Sequence, residues 1–223
     1  MKDWRDIKLH FLDFEGGVGT GVIEYGYVTL LNGKIQETQT GFCKPICSVP
    51  EIEFRQHGIS DTFLKDETEF FSEKFIEFAE LRESGLFGAH HASVESNFIK
   101  RVWAYPRKSP DFLDGDPSYF SWGPWVDTYK LFLNTCPGLE SYKLSDLINY
   151  FKLSETLEDL GARYCSSRRK KYHCALYDAI ASALLFMALI ELKKSEKITL
   201  RWLLANSCSQ SKKQADFQQM DLF

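Results

Sequence analysis

The strongest constraint on this chain lies near its N-terminus, where three strand-patterned segments follow one another. Residues 7–14, 22–31 and 34–43 are dense in β-branched and aromatic side chains, and Asn32-Gly33 stands between the last two as a hairpin turn. Gly16-Gly17-Val18-Gly19 reads as the loop between the first two. The pattern then changes. Phe70, Phe71, Phe75, Phe78 and Ala79 lie on one stripe of a helix predicted over residues 67–82, and residues 86–89 read as a short buried strand. Ser93 is expected to cap a helix in which Val94, Phe98 and Val102 share a face, and residues 125–127 read as a last short strand. Further helices are expected at 144–151, 174–192 and 199–206, with irregular chain at 45–50 and 109–124 and a polar, flexible tail over 207–219. The order predicts one α/β domain with a mixed sheet, three antiparallel strands followed by parallel ones, flanked by helices.

Composition supports a packed core and narrows the function. Hydrophobic residues make up 44% of 223 residues, with only 14 Gly and 7 Pro, which excludes a disordered or collagen-like chain. The balance of 27 basic against 31 acidic residues, a net charge of −4, argues against a broadly basic nucleic-acid binder. Any such contact has to come from a local patch or a bound metal. Residues 1–8 are mixed in charge and do not read as a signal peptide, and the longest uncharged stretch, 179–190, falls short of a membrane span. The six cysteines form no C-x-x-C pair, so reduced thiols in a cytoplasmic protein are expected, with no membrane partner.

The residues with chemistry are acids. Asp13 and Glu15 are two apart near the end of the first strand, so the strand period puts both on one face. Beside glycines, such a pair suits a metal site, although half-exposed strands often carry acids. Glu95 lies in the first turn of its helix, where the helix dipole alone would favour a carboxylate. His173 and Asp178 bracket the start of the late helix; five residues leave them about 140° apart if both are helical. They converge only if His173 precedes the first turn, which the adjoining Arg168-Arg169-Lys170-Lys171 run allows.

Taken together, Asp13-x-Glu15, Ala89-His90-His91-Ala92-x-x-Glu95 and His173-x-x-x-x-Asp178-Ala179 resemble, in order and spacing, the DEDDh branch of the DnaQ-like 3′–5′ exonucleases. His57-Gly58-Ile59-Ser60, Val126-Asp127-Thr128 and Tyr142-Lys143-Leu144 are similar to secondary segments of that family, and the resemblance spans about residues 7–192. It implies a ribonuclease-H-like fold and two-metal phosphodiester hydrolysis. Asp13, Glu15, Glu95 and Asp178 would hold two Mg²⁺ or Mn²⁺ ions, hard cations that take oxygen ligands, and His173 would be the general base. The base's place on a loop implies that it swings in when substrate binds. The family also implies substrate contacts from Phe14, Gly16 and His57, and places His91 and Val94 beside the terminal nucleotide. Phe14 has an equal claim to be core. Arg168 and Arg169 read either as phosphate contacts or as a solvated charge run.

The chain departs from the family pattern in its second motif. Glu95 stands where the family usually has Asp, His91 where it has Asn, and Val94 where it has an aromatic ring. The first change bears on metal choice and activity, the last on packing against the nucleotide.

The chain ends Gln219-Met220-Asp221-Leu222-Phe223, which resembles the bacterial sliding-clamp-binding motif, with Met at its second position. The alternative is a tail folded back on its own domain. The expected organisation is an exonuclease domain at 1–192, a short helical extension at 193–206 and a tail at 207–223. The leading expectation is a clamp-tethered exonuclease acting on single-stranded or frayed DNA 3′ ends in proofreading or repair. The rivals are an RNA-trimming enzyme similar to ribonuclease T and a catalytically weak module that binds DNA ends or the clamp.

Overall fold

A computed structural model describes residues 3–113 and 118–208. Its five-stranded sheet has the order β3-β2-β1-β4-β5. Strands β1 (Lys8–Gly17), β2 (Gly21–Leu31) and β3 (Lys34–Phe42) form the expected antiparallel meander, and Asn32 and Gly33 close its second turn at positive φ. Strands β4 (Gly85–Ala89) and β5 (Trp125–Asp127) add to the other side of β1 in parallel. The central strand β1 therefore has an antiparallel neighbour on one side and a parallel one on the other.

Alternation along β1 divides the molecule. Leu9 and Phe11 face a core built with the long helix α9 (Ala175–Leu192), while Leu12 and Phe14 face an aromatic cluster with Phe70, Phe78 and Trp103. The second face is covered by α3 (Phe70–Glu73), α4 (Phe75–Ser84) and α5 (Ala92–Val102), which follow α1 (Glu51–His57) and α2 (Asp61–Leu64) in the chain. The first face is covered by α9 with α6 (Thr128–Thr135), α7 (Leu144–Tyr150) and α8 (Ser154–Tyr164) around it. Helix α9 is 18 residues long with a mean hydropathy of 1.8, and length and composition alone would let it cross a membrane. Here it lies between the sheet and helices α6, α7 and α8, which accounts for apolar residues nearly all round it. Helix α10 (Leu200–Asn206), in the segment expected as an extension, buries Leu200, Leu203 and Leu204 in the same core.

Several local expectations are corrected. Gly16 and Gly17 belong to β1, not to a loop, with a bulge between Glu15 and Gly16. Gly16 sits at φ 130, and a Cβ there would lie 2.0 Å from the Gly21 carbonyl oxygen, so the hairpin can cross only at a glycine. The helix over 67–82 is two helices, because Lys74 separates α3 from α4. Ser93 is not a cap: α5 begins at Ala92, after His91 in the left-handed region at φ 67. Helices α1, α2, α6 and α8 have no counterpart among the expected elements; the first three are short, and α8 buries little beyond Leu157 and Gly161. The expected flexible tail begins with an anchored residue, since Ser207 Oγ accepts a hydrogen bond from the Asp127 N–H at 3.0 Å. The motif at 219–223 lies outside the described residues.

Candidate active site

The acids gather where the sheet and α9 meet. Glu15 continues the Leu9–Phe11–Asp13 face of β1, and Glu24 on β2 pairs directly with Glu15. Gly26 pairs with Asp13 and leaves room for the start of α9: a Cβ on Gly26 would lie 2.2 Å from the Leu176 nitrogen. That close approach carries Asp178, in the first turn of α9, to the acids of β1. One donor atom each from Glu15, His173 and Asp178 lie within 4.8 Å of one another. Glu95 enters from the first turn of α5.

Crowding shows in the protonation of the group. Burial pushes Glu15 up to about 8, helped by Asp178 and Glu24 and opposed by Arg169. Burial, opposed by the His173 N–H, raises Asp178 to about 7. Asp13 is held well above the carboxylate range by burial, with Glu95, Asp178, Glu15 and Glu24 adding repulsion. Burial raises Glu95 in the same way, Glu15 adding to it, while a backbone hydrogen bond from Phe14 lowers it. Two oxygens, Glu95 Oε2 and Asp178 Oδ1, are buried without a hydrogen-bond partner. Buried carboxylates that repel one another and leave oxygens unpaired are what a hard divalent cation would relieve. The donor set, all oxygen apart from one imidazole, fits Mg²⁺ or Mn²⁺.

His173 stands just before α9, as convergence with Asp178 requires. Its peptide N–H donates to Asp178 Oδ2 at 2.8 Å, and its carbonyl accepts from Arg169 at 3.2 Å. The loop expected to swing is thus pinned at this residue's backbone, and the exposed ring accepts at Nδ1 from the Gln56 side-chain amide at 3.2 Å. Burial and the Lys171 charge both lower its pKa, which favours the neutral ring.

Sequence reasoning missed Glu24 and misread Arg169. Glu24 is 1% exposed and forms an ion pair with Arg169, and its Oε2 also accepts from the Ala175 N–H at 3.2 Å. It thereby caps α9 from a distant strand, where Cys174 supplies no side-chain cap. Arg169 spends its donors on Glu24 and on the carbonyls of His57 and His173, so it faces inward rather than toward a phosphate, whereas Arg168 is exposed. A signal was present: Glu24 is the one charged residue between Gly21 and Leu31.

The remaining residues expected at the substrate divide in two. The Phe14 ring is core, packed against Phe70, Phe78 and Phe98. His57 is 1% exposed; its Nδ1 accepts from the Ile59 N–H at 3.0 Å, and burial lowers its pKa to about 4. His91 and Val94 are exposed at the start of α5, and the His91 ring stacks on Tyr129 with centroids 3.7 Å apart. Asp127 Oδ1 accepts from the His91 N–H at 3.2 Å and from the Lys130 N–H at 3.3 Å, which joins the second motif to the cap of α6.

Known structures share this arrangement of sheet and helices. Exonuclease X in complex with 5′ overhanging duplex DNA superposes with a TM-score of 0.63 at 21% identity, over 90% of this chain and 99% of that one. The nuclease domain of 3′hExo, a DEDDh family member bound to rAMP, gives 0.56 at 18% identity, over 85% of this chain and 94% of that one. The fold is that of the ribonuclease-H-like exonucleases. Two curated proteins are similar in sequence: the 3′-5′ exonuclease DinG of Bacillus subtilis, 25% identical over 173 residues, and the PolC-type DNA polymerase III of Caldanaerobacter subterraneus, 26% identical over 172. These alignments take in 78% and 76% of this chain but only 16% and 10% of those longer proteins. No family model matches the chain.

Proposed function

We propose that this chain is a divalent-metal-dependent 3′–5′ exonuclease acting on single-stranded or frayed DNA 3′ ends. The observation that carries the reading is the convergence of Asp13, Glu15, Glu95 and Asp178, with His173, at the N-terminus of α9. Asp13, Glu15, Glu95 and Asp178 are the residues that would hold two ions, Mg²⁺ or Mn²⁺. When bound, such ions supply charge to offset the phosphate and acidity for the attacking water. The protein's part is positioning and proton handling: β1, α5 and α9 hold the acids rigidly, and neutral His173 takes the water's proton at a free ring nitrogen. His91, Val94 and Gly16 would meet the terminal nucleotide, and Arg168, exposed in the run before His173, would contact a phosphate. Buried thiols at Cys43 and Cys174 suit the reducing cytoplasm.

The test is digestion of 5′-labelled single-stranded DNA and RNA with Mg²⁺, Mn²⁺ or chelator, with Asp13→Ala as control. Metal-dependent laddering of DNA from the 3′ end is expected. RNA-only degradation would make the chain an RNA-trimming enzyme, and no laddering of either would leave a binding module. We also propose that Gln219, Met220, Asp221, Leu222 and Phe223 anchor the chain to a bacterial sliding clamp and raise its concentration at primer ends. Removing residues 219–223 should abolish binding to a clamp; unchanged affinity would refute the tether.

A further inference from the structure

Helix α5 begins at a turn whose side chain is stacked on the neighbouring helix. His91 stands in the left-handed region at φ 67, its N–H bound by Asp127 Oδ1 at 3.2 Å and its carbonyl accepting from the Val94 N–H at 2.8 Å. The same Asp127 oxygen caps α6 through the Lys130 N–H, and α6 carries Tyr129. One carboxylate therefore fixes the backbone behind both rings, whose centroids lie 3.7 Å apart at an interplanar angle of 22°. Beside them His90 is pinned as well. Its Nε2 donates to the Tyr142 carbonyl at 2.9 Å, its Nδ1 meets Thr128 Oγ1 at 2.9 Å, and its ring stands edge-on to Tyr129.

His91 is exposed and Tyr129 half-buried, so the imidazole is the outer layer, and the face turned away from Tyr129 is the open one. An open aromatic face of this kind is what a nucleobase stacks on, and it accepts any base, because every base has a π-face. The turn, Asp127 and Tyr129 hold the plane in place beforehand, so little side-chain freedom is lost when a base arrives. The Lys130 ammonium, 5.4 Å from the Tyr129 ring centroid, adds positive charge that suits a polyanion. His91 also stands one helical turn before Glu95, the acid that α5 contributes to the site.

We propose that His91 and Tyr129 form a stacking platform for a nucleobase at the 3′ end of the strand, Tyr129 being the positioning residue that backs the imidazole. The inference rests on the chain acting on single-stranded nucleic acid ends. The platform holds a base without reading its identity.

The test mixes the full chain and Mg²⁺ with oligothymidylates carrying 2-aminopurine at the last, second or third position from the 3′ end. Stacking quenches this base, so a fall in fluorescence should precede the rise that marks its release as a free nucleotide. The fall should vanish in His91→Gly, which suits the positive φ and removes the ring. It should shrink in Tyr129→Leu and persist in Tyr129→Phe, which keeps the ring. His91→Gly should raise KM on labelled single-stranded DNA about tenfold with kcat within about threefold, the loss of one stacked base. It should also abolish the parent's preference for a base over an abasic site at the position that shows the fall. No fall at any position, or a fall unchanged in His91→Gly, overturns the platform; a rise that persists without it leaves the exonuclease reading standing. Neither fall nor rise sinks both. A role confined to joining α5 to α6 would lower Tm in these variants and leave the fluorescence as in the parent.

Discussion

Glu15→Gln should stabilise this protein when metal is withheld and cost it stability when metal is supplied. The acid's ordinary value of 4.5 rises to about 8 in the fold, so between those values the folded chain holds a proton that the unfolded chain has released. Stability from this group is complete below the unfolded value and is lost as pH rises toward the folded one. At neutral pH, about 2.5 pH units above the unfolded value, the penalty is about 3 kcal/mol at 1.36 kcal/mol per unit. Glutamine keeps the shape and removes the ionisation. Asp13, Glu95 and Asp178 remain and share protons with one another, so about half the penalty, 1–2 kcal/mol, should be recovered. For a chain of this size that corresponds to a rise in Tm of about 2–8 °C.

Thermal unfolding in chelator, read from acid to mildly basic pH, supplies the comparison. Parent and variant should melt together near about pH 5, and the variant should melt higher as pH rises toward 8. With Mg²⁺ or Mn²⁺ in excess the order should reverse, because binding to the native state alone stabilises the chain that retains the ligand. A gap that is independent of pH, or a variant less stable than the parent in chelator at the basic end, would refute the account of Glu15 as a strained, partly protonated ligand.

Three further outcomes follow from the same geometry. Gly26→Ala places a Cβ 2.2 Å from the Leu176 backbone nitrogen, so α9 must lift from the sheet; a loss of about 3 kcal/mol in urea unfolding is expected, with activity falling more than stability. Arg82→Met strips a guanidinium that donates to the carbonyls of Ser121 and Gly123, both at 3.0 Å; it should cost about 2–3 kcal/mol and raise hydrogen exchange in residues 118–123. His173→Ala should lower kcat about 10²–10⁴-fold while leaving the metal-induced rise in Tm intact, which separates a base from a ligand.

The fold and the site were legible to different depths, for physical reasons. The meander could be read because alternation and the Asn32-Gly33 turn are local signals, and Asp13 with Glu15 because a period of two fixes their shared face. The relation of His173 to Asp178 was legible only from the three motifs together; spacing added that the two converge only if His173 lies outside the first turn. Contacts made across long separations were not legible. Arg169 lies in a run of four cations, and only the fold shows that it pairs with Glu24, 145 residues away, while its neighbour Arg168 stays in solvent. Helix α6 was hidden because Asp127-Thr128 reads as the end of a strand, whereas Asp127 also caps the helix that follows. Ser93 misled for the opposite reason: a good cap residue stands one position inside a helix whose turn is made by His91 in the left-handed region.

Glu24 connects the charge of the chain to its chemistry. Paired directly with Glu15 across two strands, it would set like charges against each other, an arrangement that destabilises a sheet. The fold answers with Arg169, whose guanidinium lowers Glu15 while pairing Glu24, and whose remaining donors hold the carbonyls of His57 and His173. One arginine therefore neutralises the acid that caps α9 and ties down the turn that carries the proposed base. The other four acids are left without such a partner, and Glu95 and Asp178 even keep a buried oxygen free of hydrogen bonds. A fold that pairs one carboxylate with an arginine and leaves the adjacent four strained fits a division of roles, in which Glu24 is structural and Asp13, Glu15, Glu95 and Asp178 would be the acids that hold cations. The net charge of −4 is thus compatible with metal-dependent contact with a polyanion, since cations held by these acids would offset their charge where a phosphate would approach.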